Sequence, residues 1–301
     1  MSKRIILLDA TTISNSDCMR KIQLSNRQGL VPKLGSDPLD FGQALHRGVA
    51  DFRNDLFLRG NQSIDRSVTV ASDYYMTRPC PKEKPRTLEN LKSVLRGYFE
   101  EVIPKDPFTP LILSDKSACA LEIPFKIPLY SNEHTDVLLS GVVDGVGTYG
   151  PSKRRVVFDT KHSATYNIKN HLKEQLERAQ FHIYTYAMKW LGYSDNPDKY
   201  LPIVIDAIYI DNSLGGKFER SPVTQIPDYM IERTMDNARW LAKQMADLPD
   251  DIDWPHNFNA CHGKYRLCDF YSICSIPSKS QHVPIQFCFS KRTYDPSTFG
   301  E

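Results

Sequence analysis

Two short apolar runs dominate the middle of the chain, Val142-Val143-Asp144-Gly145-Val146 and Val156-Val157-Phe158-Asp159-Thr160-Lys161, with Gly150-Pro151-Ser152 between them. β-branched runs of this length bounded by turn residues predict two strands joined as a hairpin. Strand-like text begins earlier, at Cys119-Ala120-Leu121-Glu122-Ile123-Pro124-Phe125. From Asn167 to Leu191 the period changes. Ile168, Leu172, Leu176, Ala179, Ile183, Ala187 and Leu191 recur every three or four residues and Gly192 follows, which predicts one long helix with a single apolar stripe. Residues 203 to 210 predict a further strand, Asn212 to Gly216 a hairpin-like turn, and Pro227 to about Leu248 a second long helix.

The flanking text is less periodic. Two short helical patterns lie in residues 1–50, one from Ser16 to Ser25 with Asp17 as the expected cap before Cys18, the other through Phe41 to His46. Residues 51–118 are charged and punctuated by proline, with one amphipathic helix opened by Thr87, and read as an inserted helical lobe. Residues 251–301 are rich in Pro, Asn and Cys with little periodicity, so something other than apolar packing is expected to order them. The expectation is one domain over residues 1–301. Its parts are N-terminal helices (1–50), the insertion (51–118), an α/β core with a mixed central sheet flanked by helices (119–250) and a Cys-rich C-terminal segment (251–301).

Composition adds little to this picture. With 301 residues and 41% apolar content the chain can bury a substantial core. A net charge of +2 gives no global attraction to nucleic acid, so a phosphate-binding surface must come from local clusters such as Lys153-Arg154-Arg155. No apolar run is long enough to cross a bilayer and the start MSKRIILLDATT is too short to be a signal peptide, so a cytosolic protein without membrane partners is expected. Seven cysteines, an odd number, argue against a disulfide framework and for metal binding.

Chemistry concentrates on the two central strands. Residues i and i+2 of a strand share a face, so Asp159 and Lys161 project together, and pairing of the strands brings Asp144 beside them. Acids at strand ends are commonly plain turn residues. Here both lie in apolar text, where an unpaired carboxylate is costly and a bound cation is one remedy. Two carboxylates and an ammonium at one place are the wiring of a divalent-metal phosphodiesterase site. Gln180 falls inside the apolar stripe of the long helix, where its carboxamide needs a hydrogen-bond partner, and Tyr184 lies one turn on. Three thiols, Cys261, Cys268 and Cys274, occur within the poorly periodic tail, with Cys18 far upstream. Their spacing leaves tetrahedral zinc and an iron–sulfur cluster both open. Cys80, Cys119 and Cys288 have no place in such a group and read as structural or incidental.

Taken in order, Gly42-x-x-x-His46 on a helix, Gly141-Val142-Val143-Asp144 on a strand, Asp159-Thr160-Lys161 on the next, and Gln180-x-x-x-Tyr184 on the following helix resemble the PD-(D/E)XK nuclease superfamily, in its RecB-type branch. The resemblance implies a restriction-endonuclease-like core. It implies Mg²⁺ or Mn²⁺ held by His46, Asp144, Asp159 and the Thr160 carbonyl, with Lys161 orienting the attacking water and Gln180 and Tyr184 supporting the site. His162 stands where Thr or Ser is common in that family. The cysteines are similar to the iron–sulfur staple of AddB-like and CRISPR-adaptation exonucleases, in which one Cys before the nuclease motifs joins three after them. By that likeness Cys18, Cys261, Cys268 and Cys274 hold a 4Fe-4S cluster, with zinc as the alternative, although the first C-terminal interval is longer than the usual two residues. The implied activity is metal-dependent hydrolysis of DNA, as an exonuclease on single strands or duplex ends, with Lys153, Arg154, Arg155 and Tyr184 on the phosphates and a helicase or recombination protein as partner. The alternative is a catalytically inactive nuclease-like module serving as a DNA-binding scaffold in such a complex.

Overall fold

A computed structural model describes residues 3–14, 16–78, 83–115, 117–164, 168–262 and 267–292. In chain order the elements are β1 (Arg4–Leu8), α1 (Ala10–Ser14), α2 (Met19–Ile22), β2 (Leu30–Pro32), α3 (Asp37–Arg59), α4 (Ile64–Met76), α5 (Leu88–Gly97), β3 (Phe108–Pro110), β4 (Leu121–Ser131), β5 (Thr135–Tyr149), β6 (Arg154–Ser163), α6 (Ile168–Leu176), α7 (Ala179–Trp190), β7 (Ile203–Ile210), β8 (Gly216–Arg220), α8 (Asp228–Asp247), α9 (Tyr271–Cys274), α10 (His282–Cys288) and β9 (Phe289–Lys291). The chain divides into two compact units, a larger one of residues 35–123 and 142–231 and a smaller one of residues 1–34, 124–141 and 232–301. Among the described residues no helix is long and apolar enough to cross a membrane.

The larger unit is an α/β structure on a mixed sheet. β3 and β6 flank the end of β5, both antiparallel to it, β7 runs parallel to β6 and β8 antiparallel to β7. The β5–β6 hairpin forms as the Gly150-Pro151-Ser152 text predicts, with Gly150 at φ +66. All eight residues of β7 are buried, the signature of a strand covered on both faces. Thr87 caps α5, its hydroxyl accepting from the Asn90 amide at 3.1 Å.

α3 is much longer than the Phe41–His46 pattern suggests. Two of its inward positions are charged, Arg53 and Asp55, and this hides the continuing helical period. Gly60, left-handed at φ +66, ends the helix, its amide donating to the Leu56 carbonyl. Phe41, Leu45, Val49 and Phe52 pack with Val68 and Tyr75 of α4, Leu91 and Leu95 of α5, and Ile208 and Ile210 of β7. The stretch expected as an inserted lobe therefore shares one core with the sheet.

Beneath that core runs a chain of buried charges. The Arg53 guanidinium lies over Phe108 and Phe158, 5.2 and 4.6 Å from their ring centres, and donates to Asp106 (2.5 Å) and to the Tyr98 hydroxyl (3.2 Å). Asp106 also pairs with Arg220, which forks onto Asp206, and Tyr98 donates to Asp206 at 2.5 Å. Each charge has an opposite neighbour, the condition for burying any of them.

The helix predicted over 167–191 is two helices, α6 and α7, interrupted at Glu177-Arg178, where Arg178 is extended (ψ 141). The three-and-four spacing runs through the interruption, so the apolar stripe gives no sign of it. Asn167 lies outside the described residues.

In the smaller unit β1, a strand not anticipated from the sequence, pairs in parallel with residues 135–139 of β5, and β2 pairs antiparallel with β9. Cys18, not Asp17, is the residue before α2 and stands at its N-cap in extended backbone. The C-terminal segment does have an apolar centre: Leu24, Leu30, Phe270, Ile273 and Phe289, with Cys268 and Cys274 packed against it. Polar ties supplement it. Gln23 donates to the Ile252 carbonyl (2.8 Å) and accepts from the Trp254 amide (2.9 Å), and the Arg20 amide donates to the Pro255 carbonyl (2.9 Å).

Candidate metal centre

α3, β4 and β5 each deliver one ligand-type side chain to a single point in the larger unit. His46, Glu122 and Asp144 offer ligand atoms all within 4.8 Å of one another. His46 Nδ1 lies 3.0 Å from Asp144 Oδ2 and 4.0 Å from Glu122 Oε1. A cavity of about 10 Å³, lined by these three with Arg53, Phe158 and Thr160, opens among them, room for about one water-sized particle. Hard oxygen and imidazole donors around so small a space suit a divalent cation.

Glu122 is the residue the sequence reading missed. It holds a left-handed backbone, φ +48, which a non-glycine residue adopts rarely and at a cost of order 1 kcal/mol or more. Leu121-Glu122-Ile123 keeps a plain apolar–polar alternation, in which an acid reads as an outward-facing strand residue, unlike Asp144 and Asp159, which follow consecutive apolar residues.

Gly42 shows why the helix motif needs a glycine four residues before His46. A Cβ there would stand 2.6 Å from the His162 imidazole, which lies under α3 beside Phe41 (ring centres 5.7 Å apart). Burial, with His46 nearby, holds His162 down at a pKa of about 3, so its ring is neutral.

Asp144 accepts from the Thr160 amide at 2.7 Å, which ties the first acid to the Asp159–Thr160 peptide of β6. Asp159 is wholly buried, and both of its oxygens lie within 2.9 Å of Lys161 Nζ. The two acids and the lysine are thus gathered as expected, but Asp159 is engaged by Lys161, and Glu122 completes the close group with His46 and Asp144. Lys161 also lies over the Phe181 ring of α7 (5.5 Å), and one turn along Gln180 donates to the Tyr184 hydroxyl at 2.7 Å. The interruption before α7 puts Arg178 close enough to Lys161 to act on its proton affinity.

The electrostatics are those of an anionic cluster short of positive charge. Burial would lower His46, but Asp144 beside it reverses this and lifts it to about 9. Burial and then the Asp144 charge push both Glu122 and Asp159 up to about 7. Burial opposes ionisation of Asp144 too, yet His46 and Lys161 keep it below the usual carboxylate range. Burial notwithstanding, Asp159 and Asp144 raise Lys161, which is an ammonium and not a free base.

The basic triplet lies at the other end of β6. Arg155 is four residues from Asp159, about 13 Å along a strand. Arg155 pairs with Asp195 (2.5 Å) and Arg154 donates to Gln225 (3.0 Å). The cations beside the cluster are instead Arg47, which acts on Glu122, and Arg178.

In the smaller unit Cys18, Cys261 and Cys268 lie near enough to Cys274 to disfavour its ionisation, and Cys18 and Cys268 act on Cys261 in the same sense. Burial and then Cys268 and Cys18 raise Cys261. Cys274 rises to about 11, through burial and the other three sulfurs against the opposing charge of Arg20. Among the described residues no three of these sulfurs lie within 4.8 Å of one another, wider than the roughly 3.8 Å edge of a tetrahedral zinc–thiolate site. Cys119 is buried and Cys288 exposed, neither with the group, and Cys80 lies outside the described residues.

No protein-family profile matches the chain, and no curated protein matches it. Among solved structures, one described as "Crystal structure of SSO0001" is similar with 12% sequence identity over 67% of this chain and 77% of that one, at a TM-score of 0.31, a likeness too distant to bear on fold or activity.

Proposed function

We propose that the protein is a metal-dependent DNA nuclease of the PD-(D/E)XK type, with a restriction-endonuclease-like core and a second, cysteine-ligated iron–sulfur centre. The observation that carries the reading is the convergence of His46, Glu122 and Asp144 on a space the size of one ion, with the Asp159–Lys161 pair adjoining. The donor set fits Mg²⁺ or Mn²⁺, and the raised proton affinities of Glu122, Asp159 and His46 fit a cluster in which protons stand in for a cation.

When bound, such a cation supplies Lewis acidity toward a phosphoryl oxygen and an acidified water. The side chains supply the rest. His46, Glu122 and Asp144 would hold the cation, with Asp159 beside them on Lys161. Lys161, an ammonium, orients the water and stabilises charge accumulating on the phosphorus oxygens. Gln180 fixes the Tyr184 hydroxyl, and Arg47 and Arg178 take the flanking phosphates in place of the distant basic triplet. Cys18, Cys261, Cys268 and Cys274 are the donor set for the cluster, with zinc as the alternative.

Digestion of end-labelled single-stranded and duplex oligonucleotides by anaerobically purified protein, with and without Mn²⁺, tests the reading. Metal-dependent cleavage is expected. Binding without cleavage in any divalent metal would instead establish a DNA-binding scaffold and overturn the catalytic assignment.

A further inference from the structure

His256 is not used by any of the chemistry above. It lies between α8 and α9, in a segment tied from both sides to the stretch around Cys18. The preceding Pro255 carbonyl accepts from the Arg20 amide (2.9 Å), and the following Asn257 side chain donates to the Asp17 carbonyl (3.0 Å) while accepting from the Asn259 amide (3.1 Å). The imidazole packs against Phe258 at a tilt of 35°, ring centres 4.1 Å apart. So fixed, its Nε2 lies 3.2 Å from the sulfur of Cys261, a residue only 5% exposed.

That sulfur has two polar neighbours, and they favour opposite states. The Asn257 carbonyl, at 3.9 Å, can interact only with a thiol proton. The imidazole N–H can donate to a thiolate. Metal ligation requires the thiolate, and a buried thiolate among three other sulfurs needs a donor. Arg20, the cation near the group, already pairs with Asp253 (2.8 Å) and hydrogen-bonds Gln23 (2.5 Å) and Gln281 (2.8 Å), so much of its charge is compensated.

We propose that His256 donates its Nε2–H to the Cys261 sulfur of the ligated cluster and thereby favours the cluster's reduced state. His256 is a positioning residue, acting through Cys261 and not as a ligand. The inference rests on the iron–sulfur reading of the four cysteines. One-electron reduction adds negative charge that spreads onto the ligand sulfurs, so a hydrogen bond to one of them strengthens in the reduced form. The electron comes from an external reductant such as dithionite, and no proton need move.

The test uses the full chain, purified anaerobically, as wild type, His256→Phe (a ring without a donor) and His256→Gln (a donor without the ring). Iron and acid-labile sulfide per chain are measured first, and wild type is expected to hold both. Zinc, or no metal, would overturn the cluster reading and this inference with it. Redox titration by electron paramagnetic resonance and visible bleaching follows. At the potential where wild type is half reduced, His256→Phe should show a reduced-to-oxidised ratio about tenfold lower, equivalent to 59 mV for a one-electron couple. His256→Gln should lie between the two with an unchanged iron content. An iron-loaded His256→Phe protein with the wild-type midpoint would overturn the inference while leaving the cluster intact. Loss of iron from both variants with a new cluster spectrum would overturn it in another way, making His256 a ligand.

Discussion

His46 Nδ1 and Asp144 Oδ2 stand 3.0 Å apart, joining a long helix to the central strand at the point where Glu122 also arrives. The contact is an ion pair when His46 is protonated. In a metal-loaded site the imidazole must be neutral, so proton and metal compete for it.

That competition has a sign. Folding lifts His46 from 6.5 to about 9, Glu122 from 4.5 to about 7 and Asp159 from 3.8 to about 7, so the folded state binds these protons more tightly than the unfolded chain. Their contribution to stability is complete below about pH 4 and is lost as pH rises through 7 and then 9; Asp144, shifted the other way, contributes above its unfolded value. In EDTA the melting temperature should fall between pH 5 and pH 9, by an amount on the order of 5 °C. Mn²⁺ should restore it, increasingly so at higher pH. A metal-induced shift that shrinks with rising pH would contradict the assignment.

Glu122→Gln should weaken Mn²⁺ binding roughly 10–100-fold, read by calorimetry. Glu122→Gly removes the same ligand but accepts φ +48 without strain. Without metal it should melt no lower than wild type, and it should show little metal-induced shift. A large loss of stability in the metal-free glycine variant would mean that the carboxylate serves the fold instead.

Asp159→Ala and Lys161→Ala should each reduce cleavage at least about 100-fold with the far-ultraviolet circular dichroism unchanged, the scale expected when a group that stabilises developing charge is removed. Activity within a few fold of wild type would refute their roles.

Gly42→Ala sets two effects against each other. Alanine favours a helix by about 1 kcal/mol, but its methyl meets His162 at 2.6 Å, and overpacking of this kind costs about 1–3 kcal/mol. We expect net destabilisation, relieved when His162→Ala is added, as measured by urea denaturation. Additive losses in the double variant would show that the two side chains do not meet.

Arg47→Ala and Arg178→Ala should each lower the salt dependence of oligonucleotide binding by about one ion, whereas Lys153→Ala should not. The reverse ranking would return the phosphate contacts to the hairpin.

The strands β5, β6 and β7 are legible because short runs such as Val156-Val157-Phe158 and Ile203-Val204-Ile205 fit no helix period, whereas β1 is not. The hairpin turn, the cap at Thr87, and the meeting of Asp159 and Lys161 beside Asp144 follow from local rules of spacing. What escaped detection did so for identifiable reasons. α3 was truncated because Arg53 and Asp55 occupy inward positions that a hydrophobicity pattern counts as outward. The break before α7 leaves the stripe in phase. Glu122 was passed over because its backbone leaves ordinary strand geometry at that residue, and no residue type announces this.

The buried chain Arg53–Asp106–Arg220–Asp206–Tyr98 constrains any attempt to re-engineer the protein. Replacing one of the buried members leaves its neighbour without its partner, a loss of about 3–5 kcal/mol, whereas an apolar set of matching volume introduced together can be neutral. Single-site libraries would therefore report all five positions as immutable, although the interior could accept an oily quintet in one step.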